Sequence, residues 1–148
     1  MKWRKVVILT IVAIPVTVVA YSLFMAVIGH TLTISTFKTT YQSGETITFI
    51  VRNNGLTTIE FGDPGLGFGI TNLDTGKQVS LGRGYPQVVH FIPPFGWETT
   101  SWDQTQYVRG ETQLFVKQQV ESGNYVASVS GGIGSEPIQA EVRFRITG

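Results

Sequence analysis

Cysteine is absent from the 148 residues, and histidine occurs only at His30 and His90. Without cysteine the fold relies on no disulfide and no thiolate metal cage, and thiolate catalysis is excluded. The sequence also has no Gly-x-Ser-x-Gly motif for a nucleophilic serine and no His-Glu-x-x-His motif for zinc. These absences argue against an enzyme, so we predict no catalytic residue and no cofactor.

Charged residues are scarce, at 14% of the chain, and they are unevenly placed. Lys2, Arg4 and Lys5 form a basic cluster at the start. From His30 onward eight Lys and Arg residues stand against ten Asp and Glu residues, which leaves a net charge of −2. Nucleic acid is not an expected partner, because binding it requires a basic surface.

An uncharged run from Val6 to Gly29 follows the basic cluster directly. As a helix rising 1.5 Å per residue it would span roughly 35 Å, enough to cross a hydrocarbon core of about 30 Å. The preceding cations are expected to keep the N-terminus in the cytoplasm. We therefore predict a single-pass protein of the cell membrane, with residues 1–29 as cytoplasmic start and transmembrane helix and residues 30–148 as an extracytoplasmic domain.

Two alternatives to a permanent anchor stay open. Val27-Ile28-Gly29 loosely resembles a signal-peptide cleavage site before His30, although the apolar run is longer than a signal peptide needs. The same helix would also suit the core of a pilin-like filament, but a small residue for early processing is missing at Arg4-Lys5-Val6.

After Thr31 the apolar residues recur every second position, which is typical of half-buried strands. One region of this size with eight or nine such strands predicts an all-β fold, an immunoglobulin-like antiparallel β-sandwich. The predicted strands centre on Leu32–Ile34, Ile47–Val51, Thr57–Phe61, Phe68–Asn72, Lys77–Leu81, Val88–Ile92, Trp97–Trp102, Tyr125–Ser130 and Ile138–Ile146.

Turn-forming residues separate these segments. Tyr41–Glu45, Asn53–Gly55 and Gly131–Gly134 are predicted as turns or loops. The glycine-dense stretch Gly62–Gly69 precedes a strand rather than a helix, so we interpret it as a sandwich loop and not as a phosphate cradle. Within Gln104–Glu121, the pattern allows either a strand or one to two helical turns.

Several of these segments resemble the intracellular proteinase inhibitor domain of the BsuPI type over about Ile47 to Val129. The resemblance is carried by the strand that ends in Asn-Asn, the Asp-Thr-Gly-Lys-Gln-Val hairpin, the strand that ends in Trp-Asp and the closing Gly-Asn-Tyr-Val strand. It implies an immunoglobulin-like sandwich with loops that bind a protease. Two features differ from that family: the predicted membrane anchor, and Gly96-Trp97-Glu98 where a Pro-Gly-Glu turn is usual. The resemblance assigns no site residue to this chain.

Few residues are candidates for metal binding or catalysis. His30 and His90 together would form a copper site if cleavage made His30 the new N-terminus, because imidazole suits that metal. His90 and Asp103 could belong to a triad with a serine. Four carboxylates near turns offer oxygen ligands for calcium, but without the spacing of a calcium loop: Glu60, Asp63, Asp74 and Asp103. We predict no metal site, and a half-buried strand position for His90.

Aromatic residues around Pro93-Pro94 are the better candidates for function. Phe95, Trp97 and Trp102 are the predicted interaction residues. Alternation places the two tryptophans on opposite faces of one strand; packing of both in the core is the simpler interpretation, and exposure of one would make it an interface anchor. The sequence thus predicts a membrane-anchored module for protein–protein interaction, an accessory subunit of a membrane complex, with a surface-tethered protease inhibitor as the alternative.

Overall fold

The computed structural model describes residues 31–62, 66–81, 89–110 and 114–148. The predicted anchor, Val6–Gly29, and His30 lie outside these residues. Within the described ranges there is no helix of the length and hydrophobicity needed to cross a membrane. The regular structure there consists of β-strands throughout, which confirms the predicted all-β class, and Leu32–Gly148 form one compact unit.

The strands follow one another along the described chain in short segments, except for the last two. Their bounds are β1 Leu32–Thr36, β2 Thr40–Gln42, β3 Ile47–Asn53, β4 Ile59–Phe61, β5 Gly69–Asn72, β6 His90–Ile92, β7 Trp97–Trp102, β8 Thr105–Arg109, β9 Phe115–Gln119, β10 Gly123–Ile133 and β11 Glu136–Thr147.

The strands form two facing sheets and a separate hairpin. The first sheet has the order β1-β3-β7. The second has the order β2-β11-β10-β4-β6, with β5 also paired to β10. Among the described strands, β8 and β9 pair only with each other. All pairs are antiparallel except β2 with β11, where Tyr41 lies opposite Ile146 in a parallel register, so the purely antiparallel prediction is wrong at that edge.

The core lies between the inner faces of the two sheets. Phe49 of the first sheet and Phe144 of the second have ring centroids 5.6 Å apart, and Trp102 lies 6.0 Å from Tyr125. Burying each large apolar side chain contributes about 1.5–3 kcal/mol, which makes this contact the main source of sandwich stability. Alternation determines which side chains enter it, since Ile47, Phe49 and Val51 are buried while the residues between them are less so.

Several predicted boundaries are corrected by the structure. Lys77–Leu81 is not a full strand: Gln78 forms an isolated bridge with Thr71, and the Val79 amide donates to the Ile70 carbonyl at 2.8 Å. Tyr41 lies in strand β2, and the turn begins only after Gln42. The ambiguous segment near Gln113–Val120 contains strand β9 and no helical turn among its described residues.

The first three residues of the predicted loop Gly131–Gly134 are instead the end of β10, which continues to Ile133, where it pairs with Glu136, and only Gly134 lies in the turn. A side chain at Gly131 would come within 2.9 Å of the Glu60 carbonyl oxygen. Glycine is therefore used here to let β4 approach β10 and not to loosen the chain.

Candidate interaction surfaces

The turn between β6 and β7 presents an aromatic residue in an unusual conformation. The Gly96 amide donates to the Pro93 carbonyl at 2.9 Å, which closes a four-residue turn. Phe95 has a φ of 59°, a value that non-glycine residues rarely adopt, and its side chain is 67% exposed. Residues held in such strained positions are often found at functional sites.

The buried side chain of Asn53 holds this turn in place. Its Nδ2 donates to the carbonyls of Thr57 at 2.8 Å, Ile92 at 3.0 Å and Pro93 at 3.1 Å. Its Oδ1 accepts from the Gly55 amide at 2.9 Å, and its backbone amide donates to the Gly96 carbonyl at 2.9 Å. The Asn53–Gly55 segment thus joins the two sheets at one end of the sandwich, since β3 and β4 belong to different sheets.

We call Phe91, Phe95 and Trp97 the aromatic tip. Phe91 is 55% and Trp97 is 61% exposed, on the outer faces of the second and the first sheet. Trp102 is only 5% exposed, and its indole Nε1 donates to the Thr105 carbonyl at 2.8 Å. The prediction that Trp97 and Trp102 lie on opposite faces of one strand is confirmed, whereas the prediction that both pack in the core is wrong for Trp97. Trp102 is a core residue and is not available for partner contact, so its prediction as an interaction residue is also wrong.

The β8–β9 hairpin is a second exposed apolar surface, and sequence reasoning missed it. All five residues of β9 are exposed, and Leu114 and Val116 are exposed by 69% and 50%. Among the described strands β9 pairs only with β8, so its outer edge has no neighbouring strand. The sequence did contain a hairpin signal, because two segments rich in β-branched and aromatic residues flank Gly110.

The base of this hairpin is firmly held. Gln104 is fully buried with a φ of 59°; its Oε1 accepts from the Gly44 amide at 2.9 Å, and its Nε2 donates to the Gln42 carbonyl at 2.8 Å. The Lys117 ammonium lies 2.5 Å from a carboxylate oxygen of Asp103, and this hydrogen bond lowers the pKa of the Asp103 carboxyl and raises that of Lys117. The hairpin therefore projects from a fixed support.

The structure assigns the polar candidates to separate local contacts. His90 is half-buried in β6, as predicted, with its Nδ1 3.8 Å from Glu98 of β7. Asp103 bonds Thr105 and Lys117, so it does not orient His90 as a triad would require. His30 and Asp63 lie outside the described residues.

The other two described candidates for calcium binding, Asp74 and Glu60, also lie in separate local contacts. Asp74 accepts from the Asn124 amide at 2.8 Å and from its side chain at 2.9 Å, which lowers the pKa of the Asp74 carboxyl. Glu60 lies on β4 opposite Phe91. In the described part of the chain, no three His, Asp or Glu side chains are grouped so that they could hold a metal ion.

Comparison with known proteins identifies no family. No family model and no curated protein matches the chain. Among solved structures, a β-glucosidase from Erythrobacter marinus is 13% identical with a TM-score of 0.38, and the match covers 78% of this chain and 15% of the enzyme.

Two smaller proteins are also similar. The sulfur carrier protein SoxY from Chlorobium limicola is 12% identical with a TM-score of 0.34, covering 87% of this chain and 96% of that protein. A PapD-like domain of human CEP192 is 12% identical with a TM-score of 0.30, covering 76% and 81%. This chain spans only 15–16% of the β-glucosidases that it matches. At these identities and TM-scores the likenesses assign no activity to the chain.

Proposed function

We propose that this chain is a single-pass, membrane-anchored and non-catalytic β-sandwich module that binds protein partners outside the cell membrane, as an accessory subunit of a membrane complex. The apolar run Val6–Gly29, with basic residues before it, supports the anchor and its orientation. The β-sandwich supports the second part, because such a scaffold presents its loops and edges rigidly to a partner.

The observation that carries the proposal is the exposure of β9 along its whole length. An exposed strand edge with apolar side chains favours pairing with another chain, and soluble proteins usually protect such edges with prolines, charges or bulges. Lys117 is the only charged residue in β9, and it is engaged with Asp103. An extended segment of a partner would pair with β9 through main-chain hydrogen bonds and contact Leu114 and Val116 with its side chains.

The strand order supports an immunoglobulin-like arrangement within this proposal. Strands β1, β3 and β7 have the order of strands A, B and E, and β11, β10 and β5 have the order of G, F and C. The proteinase-inhibitor function implied by the resemblance is a distinct outcome, which titration of the full chain against proteases of different specificity would reveal as stoichiometric loss of protease activity.

Site-specific photo-crosslinking in native membranes tests the proposal. A photoreactive phenylalanine analogue at Val116 should give one discrete adduct whose partner peptide maps to an extended segment. The matched control is the same analogue at Gln139, an exposed residue of β11 in the second sheet. Absence of an adduct at Val116, or the same adducts from both positions, would refute β9 as the binding surface.

A further inference from the structure

The aromatic tip lies at the end of the sandwich where the described chain begins. Leu32, the first residue of β1, pairs with Asn53, whose amide donates to Gly96 of the tip turn. The next row across the first sheet is Thr33, Arg52 and Trp97. From Thr33 to Thr36, β1 runs away from this end, so β1 begins at the end of the sandwich that carries the tip.

Two short distances bear on whether the tip can reach the membrane: the one between Trp97 and β1, and the length of the linker before β1. Trp97 lies two strands from Thr33, which is about 10 Å at the usual spacing of strands in a sheet. Only His30 and Thr31 separate Gly29 from Leu32, and so short a linker spans about 10 Å at full extension. If Val6–Gly29 crosses the bilayer as proposed, a linker this short allows the tip to reach the lipid headgroups.

The chemistry of the tip suits that location. Tryptophan is enriched at membrane interfaces, where the ring packs against acyl chains while its N–H remains near water. Arg52 lies opposite Trp97 on the same outer face, is exposed and could approach lipid phosphates. Phe91, which lies opposite the exposed Glu60, belongs to the rim of such a contact.

We infer that Arg52, Phe95 and Trp97 contact the headgroup region of a phospholipid bilayer and seat the domain on the membrane that holds its anchor. This inference depends on the anchor in the proposed function but not on the β9 surface. It separates two roles: the tip fixes the domain against lipid, and the β8–β9 hairpin remains available for a protein partner. The Asn53 hydrogen bonds then hold the tip in a fixed shape and keep Phe95 at its strained φ.

Tryptophan quenching in vesicles tests this inference with the full chain. The chain is reconstituted in phosphatidylcholine vesicles whose acyl chains carry bromine close to the headgroups. The W3F variant retains Trp97 and the buried Trp102; W3F/W97F retains only Trp102 and sets the background. The control W3F/W97F/S101W places a tryptophan on the same face of β7 about 13 Å from the tip, four residues along the strand.

We expect brominated lipid to reduce the emission of W3F and to leave both other variants nearly unchanged. Equal quenching of W3F and the Ser101 control, or emission from Trp97 that only a water-soluble quencher reduces, would overturn the inference; the second result is expected if the tip faces water and not lipid. Flotation of the vesicles separates the two proposals. A chain that floats without quenching of Trp97 refutes only the lipid contact, whereas a chain that does not float refutes the anchor as well.

Discussion

The hydrogen bonds of Asn53 provide the sharpest test of how this fold holds its tip. We predict that Asn53→Ala destabilises the domain by about 2 kcal/mol, because it leaves the buried Gly55 amide without its partner at roughly 1–3 kcal/mol. The Ile92 carbonyl loses the Asn53 donor but keeps its place in the ladder opposite Ile59. The Thr57 and Pro93 carbonyls are only partly buried, so water can replace their lost donor at little cost.

That loss is large compared with the total stability of a domain, which is typically about 5–15 kcal/mol. For a domain of this size each kcal/mol lowers Tm by about 4 °C, so we expect a decrease of about 8 °C. Thermal unfolding followed by circular dichroism measures it. Tryptophan emission gives a local readout, since Trp97 follows the turn that Asn53 holds.

Asn54→Ala is the matched control for this experiment. The neighbouring asparagine is only half-buried and donates from Nδ2 to the Thr33 hydroxyl at 3.1 Å. Its loss should cost less than about 1 kcal/mol, the usual net contribution of one hydrogen bond. Equal Tm values for the two variants, or an Asn53→Ala variant as stable as the parent, would refute the claim that Asn53 holds the two sheets and the turn together.

Two further predictions follow from strain and charge. Phe95→Gly should be more stable than Phe95→Val by at least about 1 kcal/mol in chemical denaturation, because a positive φ is strained for a β-branched residue and free of strain for glycine; equal stabilities would contradict the strain. The pKa of Asp103 is lowered by the hydrogen bond from Lys117, so its contribution to stability is complete above its ordinary value of 3.8 and disappears as the pH decreases through the lower folded value. Asp103→Asn should therefore have a lower Tm than the parent near neutral pH, with the difference closing in acid; a difference that is independent of pH would exclude this ion pair as its cause.

Local sequence patterns determined the strand class of the described chain. The strict alternation of Ile138, Ala140, Val142, Phe144 and Ile146 predicts β11, because every second side chain of a strand points to the same face. The same rule predicted that Trp97 and Trp102 lie on opposite faces, which the structure confirms. Strand formation and the alternation of side chains between two faces depend on residues that are close along the chain, so the local sequence is enough to predict both.

Pairing between distant segments was decided only by tertiary structure. The parallel pairing of β2 with β11 joins residues about a hundred positions apart, and no local pattern specifies it. Gly131 was interpreted as a loop residue because its local signal is flexibility, whereas the close approach of β4 is the physical reason for glycine there. Asn53 likewise signals a turn in sequence, while its burial and its hydrogen bonds depend on Ile92 and Pro93, some forty positions away.

The same division applies to the candidate surfaces. Composition and hydropathy alone predicted an anchor at Val6–Gly29 and aromatic residues for interaction near Pro93-Pro94. Only the folded sheets place Trp97 outside and Trp102 inside, leave the outer edge of β9 without a neighbour among the described strands, and bring the tip to the end of the sandwich where β1 begins. Exposure is a property of packing between sheets, and periodicity indicates that two faces differ without indicating which of them the rest of the chain covers.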